Sequence, residues 1–129
     1  DVLSKVGGLD LAALTGFYLG CAYWRIPVVL DGLITGAAAL AAVKLCPAVA
    51  DYLLASHVSA EPAGQAVLSS LGLKAAIQAG MCLGEGTGAA AFFPMLDMAL
   101  TIYSKMDPFQ DIQVKPYCHF EEDKNEDKE

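Results

Sequence analysis

The sequence predicts an α/β fold, a parallel sheet with helices packed against it, because apolar runs of two different lengths alternate along the chain. Residues 26–30 and 52–55 are short, continuous apolar runs, which are typical of strands buried on both faces. Residues 9–24 and 33–45 are longer, and they either place apolar side chains at helical spacing or consist mainly of small residues. The order helix, strand, helix, strand therefore predicts neighbouring parallel strands joined by a helix.

Residues that end helices and strands divide the first half of the chain. Asp10 favours a helix that starts after Gly7-Gly8, because a carboxylate is stabilised near a helix N-terminus. Asp31-Gly32 is expected to end the first strand. Pro47 lies just beyond the helix of small residues and cannot continue it, because proline has no backbone N–H to donate.

A polar connection, residues 56–62, follows the second strand. Ser59 is a candidate N-cap for a helix that runs to about Leu71 and ends at Gly72. Residues 73–81 are compatible with either a short strand or a helical turn. A glycine-rich loop at residues 84–88 then leads into a long apolar helix that is expected to reach about residue 106, with a bend near residue 94.

The hydrophobic content indicates that this fold is incomplete within the given sequence. Hydrophobic residues make up 55% of the 129-residue chain, whereas an average soluble domain is roughly 45–50% apolar. Some of the apolar surface is therefore expected to contact protein that lies outside this sequence. We interpret the chain as part of a Rossmann-like parallel sheet with flanking helices.

Charge, hydropathy and cysteine spacing exclude several classes of function. Only 8 Lys and Arg residues are present and the formal net charge is −7, which argues against nucleic-acid binding. No run approaches the roughly 20 apolar residues that a membrane span needs. The four cysteines never form a Cys-x-x-Cys pair, so we expect no metal site and reduced thiols in a cytoplasmic protein.

The candidate site lies where both strands end, because ligands of open parallel sheets bind at the carboxyl ends of the strands. Asp31-Gly32 follows the first strand, and His57 and Ser59 follow the second. A turn-forming Asp-Gly pair, a structural histidine and a capping serine are the alternative interpretations of these residues.

Glu85 is the main candidate for a catalytic residue. It lies in the sequence Gly84-Glu85-Gly86-Thr87-Gly88, where glycines before a helix invite comparison with a phosphate-binding loop. A carboxylate at the centre would repel a phosphate, and the Lys-Ser/Thr ending of a P-loop is missing. Proton abstraction fits the carboxylate better, and a helix-stabilising role is the alternative.

Four segments in order resemble the nicotinate-nucleotide:dimethylbenzimidazole phosphoribosyltransferase family, in its C-terminal part. They are GGLDLAAL at residues 7–14, RIPVVLDG at residues 25–32, SHVSAEP at residues 56–62 and MCLGEGTGAA at residues 81–90. The resemblance implies that residues 1–106 are the C-terminal part of the catalytic domain, which is incomplete without an N-terminal portion. Residues 107–129 are divergent and end in the acidic run EEDKNEDKE, which we expect to be a disordered tail.

The resemblance implies transfer of phosphoribose from nicotinate mononucleotide to 5,6-dimethylbenzimidazole, which gives nicotinate and α-ribazole 5′-phosphate for the lower ligand of cobalamin. It implies Glu85 as the general base and no metal or organic cofactor. Leu83, Phe92 and Phe93 are expected to supply an apolar environment for the base. The family's substrate crevice corresponds to Asp31, Gly32, Ser59, Leu83 and Gly84.

The resemblance further implies a homodimer when the protein is full length. The sequence leaves open a non-catalytic homologue or fragment that binds an azole, a nucleotide or a partner protein through the same crevice.

Overall fold

The computed structural model describes residues 2–107 and 111, so the predicted tail, except for residues 107 and 111, lies outside the described residues. Within that part the elements are, in chain order, α1 (Val2–Val6), α2 (Leu9–Tyr23), β1 (Val28–Leu30), α3 (Leu33–Leu45), a 3₁₀ helix (Pro47–Tyr52), β2 (Leu53–Ala55), α4 (Gly64–Leu71) and α5 (Thr87–Lys105). The two strands pair in parallel. The predicted α/β class is therefore confirmed.

Strand β1 is shorter than predicted because helix α2 and a proline take up its expected start. The backbone N–H of Ile26 donates to the Cys21 carbonyl at 2.8 Å and closes the end of α2. Pro27 has no N–H with which to pair. The strand therefore begins at Val28, which is opposite Leu53 of β2.

Helix α3 lies at the centre of the core because small residues let its neighbours approach closely. It packs against α2 and α4, and Ala38, Ala39 and Ala42 are fully or almost fully buried. A Cβ atom at Gly36 would lie 2.9 Å from Cγ1 of Val67 in α4. Larger side chains on this face would push the flanking helices away.

The prediction that Ser59 caps helix α4 is wrong. The helix begins at Gly64, its N-cap is Ala63, and no side chain bonds to the cap. Residues 61–64 form a turn first, because the N–H of Gly64 donates to the Glu61 carbonyl at 2.9 Å. The predicted end of this helix is confirmed, since Gly72 has a left-handed φ of 70°.

Residues 73–81 were predicted to form either a short strand or a helical turn. The structure favours the extended alternative, because the segment joins the sheet through a single bridge. Ile77 pairs in parallel with His57. The N–H of Ile77 donates to the Ser56 carbonyl, and the N–H of Val58 donates to the Ile77 carbonyl, both at 3.0 Å. These bonds fix the segment that follows β2 and hence the position of His57.

Tyr18 in α2 is a buried tyrosine with a pH-dependent contribution to stability. It is 3% exposed, and burial raises the pKa of its hydroxyl from 10.0 to about 12, against a smaller lowering by Thr35. Between these values only the unfolded chain has lost the proton. The contribution is therefore complete below pH 10 and falls by roughly 2–3 kcal/mol as the pH rises through 12.

Urea unfolding of the parent and the Tyr18→Phe variant from pH 9 to 12 measures this contribution. The free energy of unfolding should fall less steeply with pH in Tyr18→Phe than in the parent. Tyr23→Phe, at a tyrosine that is 79% exposed, is the matched control and should behave like the parent. Equal slopes for all three proteins would contradict the prediction.

No helix among the described residues is long and apolar enough to cross a membrane. In the same part of the chain, no group of three or more His, Cys, Asp and Glu side chains is placed to hold a metal ion.

Candidate active site

The carboxyl ends of β1 and β2 are tied together by Ser56. Its hydroxyl donates to the Leu30 carbonyl at 2.6 Å and lies 3.1 Å from the Asp31 carbonyl. The same oxygen is 3.1 Å from Nδ1 of His57. Because the single hydroxyl proton is directed at the carbonyls, the histidine is the donor in this last bond and carries its proton on Nδ1.

His57 is a buried residue that fills the space between two loops. It is 5% exposed, and a Cβ atom at Gly32 would lie 3.9 Å from its Cε1 and Nε2 atoms. On its other side the ring lies against Gly88, where an added Cβ would collide with Nδ1 and Cε1. The helix that starts at Thr87 therefore approaches the end of β1 across the histidine ring.

The Asp31 carboxylate binds the N-terminal end of helix α5. Its Oδ1 accepts hydrogen bonds from the backbone N–H groups of Gly88 at 2.8 Å and Ala89 at 3.2 Å. Its Oδ2 accepts one from the N–H of Gly86 at 3.1 Å. These are the N–H groups that a phosphate would use at a helix N-terminus, so the structure supports the rejection of a phosphate loop here.

Glu85 lies in a left-handed turn. The φ angles of Gly84, Glu85 and Gly86 are 75°, 58° and 75°, and a side chain is disfavoured at such angles, so the two glycines suit the turn and Glu85 is strained. The Thr87 hydroxyl donates to the Gly84 carbonyl at 2.7 Å and closes the turn. This geometry presents the exposed Glu85 side chain at the end of the sheet.

A cavity of about 400 Å³ brings the predicted site residues together. Its wall includes the predicted base and all five predicted substrate-binding residues, namely Glu85, Asp31, Gly32, Ser59, Leu83 and Gly84. His57 also lines it. The charged side chains on the wall are those of Asp31, Glu61 and Glu85, with no Lys or Arg among the lining residues. The cavity thus offers proton acceptors and no cationic partner for a phosphate.

Glu61 and Thr35 line the same cavity, although neither was predicted to be a site residue. The Ser59 hydroxyl donates to Glu61 Oε2 at 3.0 Å. Thr35 Oγ1 accepts from the Asp31 N–H at 3.1 Å and donates to the Gly32 carbonyl at 2.8 Å. Their position in the sequence could have indicated them, because Glu61 lies two residues after Ser59 and Thr35 lies four residues after Asp31.

The expected apolar enclosure of Glu85 is absent from the described residues. Leu83 is 75% exposed and Phe93 is 51% exposed, and Phe92 is only half-buried. Leu83 precedes the left-handed turn, and nothing in the described part covers it.

Comparison with known proteins identifies the family. A model of a family described as phosphoribosyltransferase matches residues 1–114. The nicotinate-nucleotide–dimethylbenzimidazole phosphoribosyltransferase of Clostridium acetobutylicum is 48% identical over 117 residues, which are 91% of this chain and 33% of that protein. The protein of the same name from Desulforamulus reducens is 51% identical over 114 residues, or 88% of this chain and 32% of the relative.

A solved structure shares the fold. The crystal structure of nicotinate-nucleotide-dimethylbenzimidazole phosphoribosyltransferase from Thermus thermophilus superposes with a TM-score of 0.82 at 40% identity, over 90% of this chain and 35% of that chain. The present chain thus spans about a third of the length of the curated relatives it matches. The match of the family model over most of the chain, the identities near one half and the shared fold together show that this chain belongs to the family of nicotinate-nucleotide–dimethylbenzimidazole phosphoribosyltransferases.

Proposed function

We propose that the complete protein transfers phosphoribose from nicotinate mononucleotide to 5,6-dimethylbenzimidazole and that Glu85 is its general base. The observation that carries this proposal is the cavity at the end of the sheet, where a strained, exposed glutamate stands in a wall without Lys or Arg. Such a wall suits a neutral azole that must lose a proton. The names of the relatives supply the two substrates.

The chemistry that follows is a displacement at the anomeric carbon. Glu85 takes the proton from one ring nitrogen of the benzimidazole while the other ring nitrogen attacks the anomeric carbon. The bond from that carbon to the nicotinate nitrogen breaks, and nicotinate leaves with the electron pair. Attack on the side opposite the leaving group inverts the β configuration and gives α-ribazole 5′-phosphate, the lower-ligand precursor of cobalamin. Each step uses only the two substrates and a carboxylate.

Asp31, Gly32, Ser59, Leu83 and Gly84 are proposed to form part of the substrate crevice around this base. Their common place on the cavity wall supports the proposal. The wall has no Lys or Arg, so we place the azole on this side. The phosphate of the nucleotide is then expected to bind away from this wall in the complete protein.

A cytoplasmic homodimer is the proposed state of the complete protein. Helix α5 supports a contact with another protein surface, because many of its large apolar side chains are exposed in the described part of the chain. These include Phe93, Met98, Leu100, Ile102 and Tyr103, each of them between 51% and 88% exposed. Apolar surface of this extent requires cover by other protein.

An assay of the complete protein with nicotinate mononucleotide and 5,6-dimethylbenzimidazole tests the proposed function. Equal amounts of nicotinate and α-ribazole 5′-phosphate should appear, and omission of the azole should abolish both products. Calorimetry with the azole alone tests the alternative that the protein binds the azole without catalysing transfer. Azole binding without product formation would favour a non-catalytic binding protein.

A further inference from the structure

The strained turn that carries Glu85 needs surroundings that hold it in place. A non-glycine residue in a sparsely populated backbone region is strained, and it persists only where neighbouring contacts impose it. In the described part of the chain, the side-chain hydrogen bonds to residues 84–89 come from Asp31 and Thr87. The Thr87 bond is local to the turn. Within residues 2–107, Asp31 is the residue whose side chain hydrogen-bonds this segment to the end of the sheet.

The acceptor capacity of Asp31 is largely used by the turn and helix α5. A carboxylate accepts hydrogen bonds and donates none, and three of its roughly four acceptor positions are filled. The N–H groups involved lie at the positive end of a 19-residue helix, where a negative charge is favoured. These bonds are charge-assisted and link two segments that are 55 to 58 residues apart in sequence.

Asp31 is itself fixed by the sheet. It follows Leu30, the last residue of β1, and its N–H donates to the Thr35 hydroxyl at 3.1 Å. The hydroxyl of Ser56, the residue that follows strand β2, contacts the carbonyl of Asp31 at 3.1 Å. The backbone of Asp31 is thus held from two sides, while its carboxylate reaches across to the turn.

From these contacts we propose that Asp31 is a positioning residue, whose carboxylate holds the left-handed turn at Gly84, Glu85 and Gly86 so that Glu85 faces the substrate. This inference rests on the proposed function for the role of Glu85. It differs from a substrate-binding role for Asp31, because the carboxylate acts on the reaction through the Glu85 turn.

A double-mutant cycle in the complete protein separates the two roles. Asp31→Asn keeps the shape of the side chain and one acceptor oxygen, but places an NH₂ group against an N–H of the turn. In the parent background it should lower kcat about 10- to 100-fold and change KM for the azole less than threefold. In the Glu85→Gln background the same change should lower kcat less than threefold, since the base is already absent.

The outcome of the cycle also distinguishes failure of this inference from failure of the proposed function. Equal losses from Asp31→Asn in both backgrounds would overturn the positioning role and indicate direct contact with substrate. A Glu85→Gln variant as active as the parent would instead remove Glu85 from the mechanism. Asp51→Asn, which removes an exposed carboxylate at the opposite end of β2, is the matched charge control and should leave turnover unchanged.

Hydrogen exchange gives a readout that does not depend on turnover. Asp31→Asn should increase amide exchange at Gly86, Gly88 and Ala89 at least tenfold relative to the parent, whereas exchange in α2 and α3 should not change. Asp51→Asn should leave all of these rates unchanged. Parent-like protection of the three amides in a folded Asp31→Asn protein would overturn the inference, whether or not the protein turns over.

Discussion

Glu85→Gln in the complete protein should lower kcat by roughly 10²- to 10⁴-fold, the loss expected when a general base is removed. Glutamine keeps the length of the side chain and does not change the backbone, so the left-handed φ of 58° and the cavity should persist. The azole should still bind with an affinity within a few-fold of the parent. Turnover and calorimetric affinity of the parent and the variant, measured under the same conditions, test these expectations.

Glu85→Gly is the second variant in this experiment. It removes the carboxylate and also the strain, because glycine adopts positive φ readily. The free energy gained by the relief of strain offsets the free energy lost through the greater conformational freedom of glycine in the unfolded chain. The melting temperature should therefore not fall, while turnover falls at least as far as in Glu85→Gln. Turnover within about threefold of the parent in either folded variant would exclude Glu85 as the base and favour the binding-protein alternative.

The fold could be predicted best where residues that end helices bracket an apolar pattern. Helix α3 runs over Leu33–Leu45 as predicted, because Gly32 precedes it and Pro47 follows it. The end of α4 at Gly72 was predicted for a similar reason, since a left-handed φ at a helix end favours glycine. In both cases the signal is local and needs no knowledge of distant contacts.

Two elements were missed because they lack the patterns on which the predictions rest. Helix α1 has five residues and none of them is buried, so it is too short for helical spacing to be recognised in its sequence. The 3₁₀ helix over Pro47–Tyr52 does not follow the 3.6-residue spacing that marks α-helices. This 3₁₀ helix includes Tyr52, which was predicted to belong to the second strand.

The cavity that the candidate site residues line could be predicted from the sequence, but the hydrogen-bond partners of its side chains could not. The rule that ligands bind at the carboxyl ends of parallel strands selects the loops at Asp31 and His57, and both line the cavity with Glu85. The bonds of Asp31 span more than 50 residues, so spacing gave no indication of them. Ser59 was wrongly predicted to be a helix cap because a serine hydroxyl often accepts a hydrogen bond from a backbone N–H at a helix N-terminus. Its hydroxyl forms a local bond to Glu61 instead.

Gly88→Ala is expected to have the second largest effect, because helix α5 approaches the sheet only where residue 88 lacks a side chain. An added Cβ would collide with Nδ1 and Cε1 of His57 and would lie 2.9 Å from Asp31 Oδ1. His57 is buried and bonded to Ser56, so its ring cannot turn away without breaking that bond. The start of α5 must therefore move outward, and it would carry the Asp31 bonds and the Glu85 turn with it.

The Gly88→Ala variant should lose about 1–3 kcal/mol of unfolding free energy, as is typical when atoms are forced into a packed site. Its kcat should fall at least tenfold as Glu85 is displaced. Gly20→Ala in α2, where an added Cβ meets nothing within 4 Å, is the matched control and should gain about 0.5–1 kcal/mol from the better helix propensity of alanine. A His57→Ala background removes the colliding ring, so the cost in stability of Gly88→Ala should shrink there to less than half. An undiminished cost in that background would show that the collision with the histidine is not the reason for glycine at this position.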